Sequence, residues 1–287
     1  METKLIDGKQ IARDIRGELK KKIAAYREQG LKAPKLTVIL VGNDPASSIY
    51  VQNKAKACGW VGMESETILY DENTSEDVLL ARIRELNADE SVNGILVQLP
   101  LPAGLSEKKL LNTIAPEKDV DGFHPVNVGK SAVGDESALV SCTPAGIMQM
   151  LRRSGISVEG KRCVVAGRSN IVGKPMARLL LAANGTVTVC HSRTRNMEEI
   201  LKEADIFVAA VGRPHFFHAD SFREGVAVID VGIHHTDEGV VGDVCFDEFL
   251  GKASYITPVP GGVGPMTIAM LLANTLQAYE QQNGLSE

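Results

Sequence analysis

The sequence predicts an α/β protein of two α/β domains flanking a cleft, the second a Rossmann-like, doubly wound parallel sheet. Three observations carry this. Apolar, β-branched runs recur at 36–41, 94–99, 163–166, 186–190, 206–211 and 226–231, as strands buried on both faces do. Segments with helical apolar spacing alternate with them. Residues 162–193, RCVVAGRSNIVGKPMARLLLAANGTVTVCHSR, read as one complete strand, loop, helix and strand, the length of a single crossover.

The elements follow in order. Apolar residues from 11 to 26 keep helical spacing and Gly30 stops them. Residues 36–41 are a continuous apolar strand. Asp44 as N-cap and Pro45 at the first helical position open a second helix, which carries Tyr50, Lys54 and Lys56 and ends near Gly59 to Gly62. A polar strand at 67–70 precedes a helix capped near Thr74 and Ser75. The buried strand 94–99 stops at Pro100 and Pro102, and a short helix around 108–114 leads to a loop at 119–125. Thr143 and Pro144 open a helix that ends at Gly155 and connects the domains. After the 162–193 unit come strands 206–211 and 226–231. Their ends, at Gly212, Arg213 and Pro214 and at Gly232 and Ile233, are where ligands sit in open α/β sheets. A short strand at 255–257 runs into a loop at 258–265, and a helix from Met266 to about Tyr279 finishes the chain. The expected domains are 1–140, completed by the C-terminal helix 266–287, and 141–265.

A net charge of −5 offers no electrostatic footprint for nucleic acid. The first 22 residues are amphipathic and charged, without the apolar core of a signal peptide, and no apolar run has membrane-spanning length. Cys58, Cys142, Cys163, Cys190 and Cys245 form no C-x-x-C pair. They read as reduced thiols of a cytoplasmic protein.

The loop after the strand at 163–166 keeps Gly167 for a tight turn and Gly173 for close helix–strand packing, but lacks the middle glycine of G-x-G-x-x-G. Backbone N–H groups and a helix N-terminus there suit a phosphate. About twenty residues on, where an NAD site places a carboxylate for the ribose, the chain has Ser192 and Arg193, with Arg168 in the first loop. Cations and a hydroxyl in that place favour the 2′-phosphate of NADP; the plainer alternative is two surface arginines. Tyr50 and Lys54 share one helix face, an oxidoreductase pairing that chance also supplies. Gln98 ends an apolar strand and needs hydrogen-bond partners, which the loop backbone could provide. Asp121, after Glu117 and Asp119, reads on its own as a surface acid. The loop 258–265 holds three prolines and three glycines in eight residues. Pro260, Gly261 and Gly262 are expected to wall a ligand site, since no packing need accounts for so stiff a turn. His215 with His218, which lie in a loop, and His234 with His235 suggest a metal at first glance, but neither pair has a carboxylate or cysteine at a spacing that completes a zinc site, so none is expected.

Segments 94–102 (GILVQLPLP), 119–125 (DVDGFHP), 167–175 (GRSNIVGKP) and 256–267 (ITPVPGGVGPMT) resemble the bifunctional methylenetetrahydrofolate dehydrogenase/methenyltetrahydrofolate cyclohydrolase family, nearly end to end. The resemblance implies a first domain that holds folate, an NADP domain after it, and a terminal helix packed back on the first. It assigns Lys54 as the essential lysine, Tyr50 as a pterin contact, Gln98 as the residue orienting the lysine, and Asp121 as the carboxylate on the pterin's amino edge. Gly167, Arg168, Ser169, Ser192 and Ile233 fall where the family contacts the dinucleotide, and members are commonly homodimers. The expected chemistry is hydride transfer to the nicotinamide followed by attack of water on the methenyl cation. Lys54 acts on the water, with its pKa lowered by burial and the adjacent cation, and its amine is expected to face the nicotinamide pocket across the cleft. Competing readings are a shikimate-dehydrogenase-like NADP-dependent reductase and a non-enzymatic NADP-binding regulator. A short-chain dehydrogenase is disfavoured because its Tyr-x-x-x-Lys follows the dinucleotide loop in chain order.

Overall fold

The fold was described from a computed structural model covering residues 2–237 and 239–285. In chain order the elements are β1 (Lys4–Leu5), α1 (Gly8–Glu28), β2 (Lys35–Val41), α2 (Pro45–Val61), β3 (Glu64–Tyr70), α3 (Glu76–Ala88), β4 (Gly94–Val97), α4 (Glu107–Thr113) and α5 (Pro125–Ala132). Then come α6 (Cys142–Arg153), β5 (Arg162–Ala166), α7 (Gly173–Ala182), β6 (Thr186–Cys190), α8 (Met197–Lys202), β7 (Ile206–Ala209), β8 (Ala227–Asp230), β9 (His234–Thr236), β10 (Gly239–Val241), β11 (Tyr255–Ile256) and α9 (Val263–Gln282). They pack as two units. One comprises Asp14–Val140 with Leu271–Glu287, the other Met1–Arg13 with Ser141–Met270.

The first unit is built on a parallel three-stranded sheet in the order β3, β2, β4. Central β2 is buried from Leu36 to Val41, whereas β3 lies at the edge and alternates exposed with half-buried positions, which is why it is polar. Leu79, Ile83 and Leu86 of α3 recur at the spacing of one helix face and pack with Ile39, Val41, Ile95 and Val97. Asp44 caps α2 by accepting from the Ser47 N–H at 2.7 Å, Pro45 takes the first helical position, and Gly62 closes the helix in the left-handed region. Strand β4 stops at Val97, two residues short of the expected end. Gln98 therefore leaves the ladder with only its N–H still bonded, to Ile39 O at 2.9 Å. Helix α5 was not anticipated; its start is the His124 ring accepting from the Val126 N–H at 3.2 Å, with Pro125 next. Residues of α9 from Leu271 onward brace this unit. Asn274 donates to Val120 O and Val140 O, both at 2.8 Å, and Tyr279 donates to Lys32 O at 2.8 Å.

The second unit is a six-stranded parallel sheet in the order β1, β11, β8, β7, β5, β6. Its core includes Phe207, Phe217, Phe222 and Phe249, with Phe207 at 4.8 Å from Phe217 and 4.6 Å from Phe222 between ring centroids. Strand β5 lies between β6 and β7, so the winding reverses there and leaves a crevice at the carboxyl ends of β5 and β7. Helix α6, read from the sequence as a connection, lies wholly in this unit and packs on α7. Helix α8 and the antiparallel pair of β9 and β10 are additions to the predicted elements.

Candidate active site

The crevice between β5 and β7 is shaped by two glycines. Gly167, immediately after β5, has φ +122°, and a Cβ there would lie 2.1 Å from Ala210 O. A Cβ on Gly173 would lie 2.2 Å from Gly167 O. Glycine at both positions lets the turn close and α7 start directly above the strand, as the sequence pattern requires. Ser169 Oγ accepts from the N–H groups of Val172 and Gly173 at 3.1 and 3.3 Å. A cavity of about 350 Å³ opens here, lined by Gly167, Arg168, Ser169, Ser192 and Arg213 among others. The Arg213 guanidinium stacks on Phe216 at 4.3 Å. Arg193 is not part of the lining; it is exposed, and its N–H donates to His191 Nδ1 at 3.2 Å. Gly167→Ala is therefore expected to lower unfolding stability by about 2 kcal/mol or more and to weaken dinucleotide binding, read by thermal melting with and without NADP. An unchanged melting temperature and affinity would contradict this reading of the turn.

Two buried carboxylates support the crevice, and sequence reasoning missed both. Asp243 accepts from the N–H groups of Val211, Gly212 and Arg213 at 2.7, 3.0 and 3.0 Å, and its Oδ1 meets His234 Nε2 at 2.8 Å. It thus holds the loop that carries Arg213. Asp230 accepts from Gly232, Asp243 and Val244 N–H groups at 2.9, 2.9 and 3.0 Å. Burial pushes its pKa up to about 6 against the pull of those three donors. The available signal was an acid ending an apolar strand, VID at 228–230.

Ile233 lies elsewhere in the same unit. It lines a smaller cavity, about 160 Å³, together with Pro260, Gly261 and Gly262 of the proline-glycine loop and with Lys9. The loop does wall a cavity, but packing accounts for part of its composition, contrary to expectation. A Cβ on Gly262 would lie 2.5 Å from Pro258 O, and a Cβ on Gly8 would lie 1.8 Å from Gly262 O. The loop is pressed against the start of α1, where the Lys9 N–H donates to Gly261 O at 3.1 Å.

In the first unit, Lys54, Gln98 and Asp121 come together. Lys54 Nζ donates to Gln98 Oε1 at 2.8 Å. Gln98 Nε2 donates to Leu99 O at 2.7 Å, so the loop carbonyl fixes which way the amide faces and turns its oxygen to the amine. The amide thus bonds the loop backbone and the lysine at once. Tyr50, one turn before Lys54 on α2, is exposed on the same face. Asp121 is not a surface acid. Burial raises its pKa to about 6, with Lys54 pulling it down and Asp119 pushing it up. Asp119 is the structural acid of the loop: it accepts from the His124 N–H at 2.8 Å, the Phe123 N–H at 3.3 Å and Asn127 Nδ2 at 2.9 Å. The neighbouring Lys118 ammonium is spent on Leu86 O and Asp89 O, at 3.0 and 2.7 Å. These bonds fix the backbone that presents Asp121.

The ground for dismissing a metal at His218 fails in three dimensions. Folding brings Glu248 and Cys245 beside it, although both are about 30 residues away in sequence. Among the described residues, no helix is long and apolar enough to cross a membrane.

Comparison with known proteins agrees with both halves of this description. Residues 6–121 match the model of the tetrahydrofolate dehydrogenase/cyclohydrolase catalytic domain, and residues 141–283 match that family's NAD(P)-binding domain. The chain is 53% identical to the bifunctional protein FolD of Acetivibrio thermocellus, over 98% of this chain and 99% of that one. The crystal structure of the bifunctional FolD methylenetetrahydrofolate dehydrogenase/cyclohydrolase from Campylobacter jejuni superposes with a TM-score of 0.95 at 48% identity, covering 97% of this chain and 99% of that one. The Trypanosoma brucei enzyme, solved with NADP cofactor and an inhibitor, gives 0.92 at 39% identity, covering 98% of each chain. Shikimate dehydrogenase of Thermus thermophilus, at 20% identity and a TM-score of 0.51 over 87% of this chain and 93% of that one, shares only the fold.

Proposed function

The chain belongs to the tetrahydrofolate dehydrogenase/cyclohydrolase family, and from that membership we propose that it oxidises 5,10-methylenetetrahydrofolate with NADP and hydrolyses the resulting 5,10-methenyltetrahydrofolate to 10-formyltetrahydrofolate. The observation that carries the assignment is the Lys54 amine held by the Gln98 oxygen at 2.8 Å, with the Asp121 carboxyl within its electrostatic reach. A regulator that had merely kept the fold would have no use for that arrangement.

The crevice residues fit the dinucleotide. Gly167 brings backbone close to a pyrophosphate, and the N-terminus of α7 faces it. Arg168 and Ser192 suit a 2′-phosphate, with no carboxylate at the end of β6 to favour a bare ribose. When bound, NADP accepts the hydride from the methylene carbon. Arg168→Ala is expected to raise the KM for NADP by roughly 10- to 100-fold, the worth of one charge-assisted contact, and to leave that for NAD nearly unchanged. Equal losses with both cofactors would remove Arg168 from the 2′-phosphate.

Asp121 supplies two acceptor oxygens for the N–H donors of the pterin and sets its orientation, while Tyr50 lies against the ring. In the hydrolytic step water attacks the methenyl carbon, and Lys54, as the free amine, takes one of its protons. A cationic substrate disfavours a second positive charge beside it, which favours that free amine. The bond from the former methenyl carbon to N5 then breaks, the remaining hydroxyl proton passes to N5, and the carbon is left as a formyl group on N10. Gln98 keeps the amine aimed throughout.

The 10-formyl product is a formyl donor for one-carbon metabolism, including purine biosynthesis. Five free cysteines suit a reducing compartment, so the proposed location is the cytoplasm, and the proposed assembly is the homodimer usual in the family. The test is to mix protein, methylenetetrahydrofolate and NADP and record absorbance. NADPH formation with a methenyl signal that rises and then decays is expected; no NADPH formation would end the proposal.

A further inference from the structure

A second cluster of reactive side chains lies in the six-stranded unit, outside the crevice and the proline-glycine loop cavity. Cys245 precedes a single turn of 3-10 helix, Phe246–Phe249, and Glu248 lies within it; the spacing of three brings their side chains to one side. His218 reaches them from the preceding segment. Its Nδ1 meets Glu248 Oε1 at 3.0 Å, and its Nε2 stands 3.9 Å from Cys245 Sγ. The backbone is stapled around this meeting. Phe217 bridges Val244, the Cys245 N–H donates to Phe217 O at 2.9 Å, and the Ala219 N–H donates to Glu248 Oε2 at 3.1 Å. Phe217, Ala219, Val244 and Phe249 below are buried, so the three side chains stand on a rigid floor. His215, at φ +51°, lines an adjoining cavity of about 370 Å³ with Cys245 and Glu248.

From this geometry we propose that Cys245, His218 and Glu248 bind a single divalent cation of the zinc class, with a coordination position open to the cavity. One ligand atom from each of the three lies within 4.8 Å of the other two. Ligands of one tetrahedral zinc stand roughly 3.2–3.8 Å apart, so the site is completed when the Glu248 carboxylate exchanges its bond to His218 Nδ1 for the metal and the three ligand atoms close by about an ångström, with His218 ligating through Nε2, the nitrogen that faces Cys245. Thiolate, imidazole and carboxylate together select zinc over magnesium or calcium. Binding displaces the Cys245 thiol proton to solvent as the sulfur–metal bond forms. Burial and the Glu248 charge hold that thiol above its usual range, which disfavours the alternative of a free nucleophilic thiolate with His218 as its base.

The test is titration of the reduced full-length protein with Co²⁺ and then Zn²⁺. The expected result is a thiolate-to-cobalt charge-transfer band that saturates at one equivalent and is abolished by zinc. Cys245→Ser should lose the band, and His218→Ala, at an exposed side chain, should bind cobalt at least about tenfold more weakly. Zinc should also protect Cys245 from iodoacetamide. Absence of the band, its survival in Cys245→Ser, or rapid alkylation that zinc does not slow would each overturn the proposal, the last in favour of a nucleophilic cysteine.

Discussion

Lys54→Ala is expected to stop the reaction at the methenyl cation. With the amine gone, nothing at that position takes the proton from attacking water, and general-base assistance accounts for about 10²- to 10⁴-fold. A loss of roughly a thousandfold in methenyl hydrolysis is the anticipated reading, with NADPH still formed from methylenetetrahydrofolate. The fold should survive. The side chains of Lys54 and Gln98 are both half-buried, so the loss of their hydrogen bond changes stability by about 1 kcal/mol. Affinity for NADP should stay as in the parent protein. Hydrolysis at the ordinary rate would remove Lys54 from the mechanism.

Asp121→Ala carries the second large effect. Two hydrogen bonds to an ionised carboxylate, at about 1.5–3 kcal/mol each, amount to a rise of at least about a hundredfold in the KM for folate. An unchanged KM would make Asp121 a bystander. The pH dependence has a definite sign. The pKa stands at about 6, raised from 3.8 chiefly by burial, so the accepting carboxylate is lost as pH falls through about 6. Folate binding should weaken there in the parent protein, and Asp121→Asn should show a high KM with no such inflection. Stability runs the other way. The fold favours the neutral acid, so the contribution of this group is fully present below 3.8 and lost as pH rises through about 6. An isolated acid at the surface would show neither effect.

Elements of the sheet were legible because their signals are local. The apolar run of β2, the Asp44 and Pro45 start of α2, and the Gly167 and Gly173 pair each state their geometry within a few residues. Strand β1 is two residues long and is a strand only because Tyr255 and Ile256 lie beside it, which no local pattern can announce. Helix α8 has six residues and the pair of β9 and β10 has three in each strand, too short for a periodicity. The site divides the same way. Tyr50 and Lys54 share a helix face by spacing alone, but nothing in the chain ties Lys54 to Gln98, 44 residues on, except resemblance to a known family. Asp243 was invisible because its partners are backbone N–H groups 30 to 32 residues earlier. His218 was dismissed for the same reason: its carboxylate and thiol are contributed by a distant turn. The loop 258–265 taught the converse, since glycines read as functional also answer to the close passage of Gly8.

Folate binding at Lys54 is the central proposal. It is tested most directly by amine acylation of the protein with and without a folate analogue, read by peptide mass spectrometry. Lys56, exposed two residues further along the same helix, is the internal reference. Selective suppression of labelling at Lys54, with Lys56 unaffected, is the predicted result. Equal labelling of Lys54 in the presence and absence of saturating folate would contradict it.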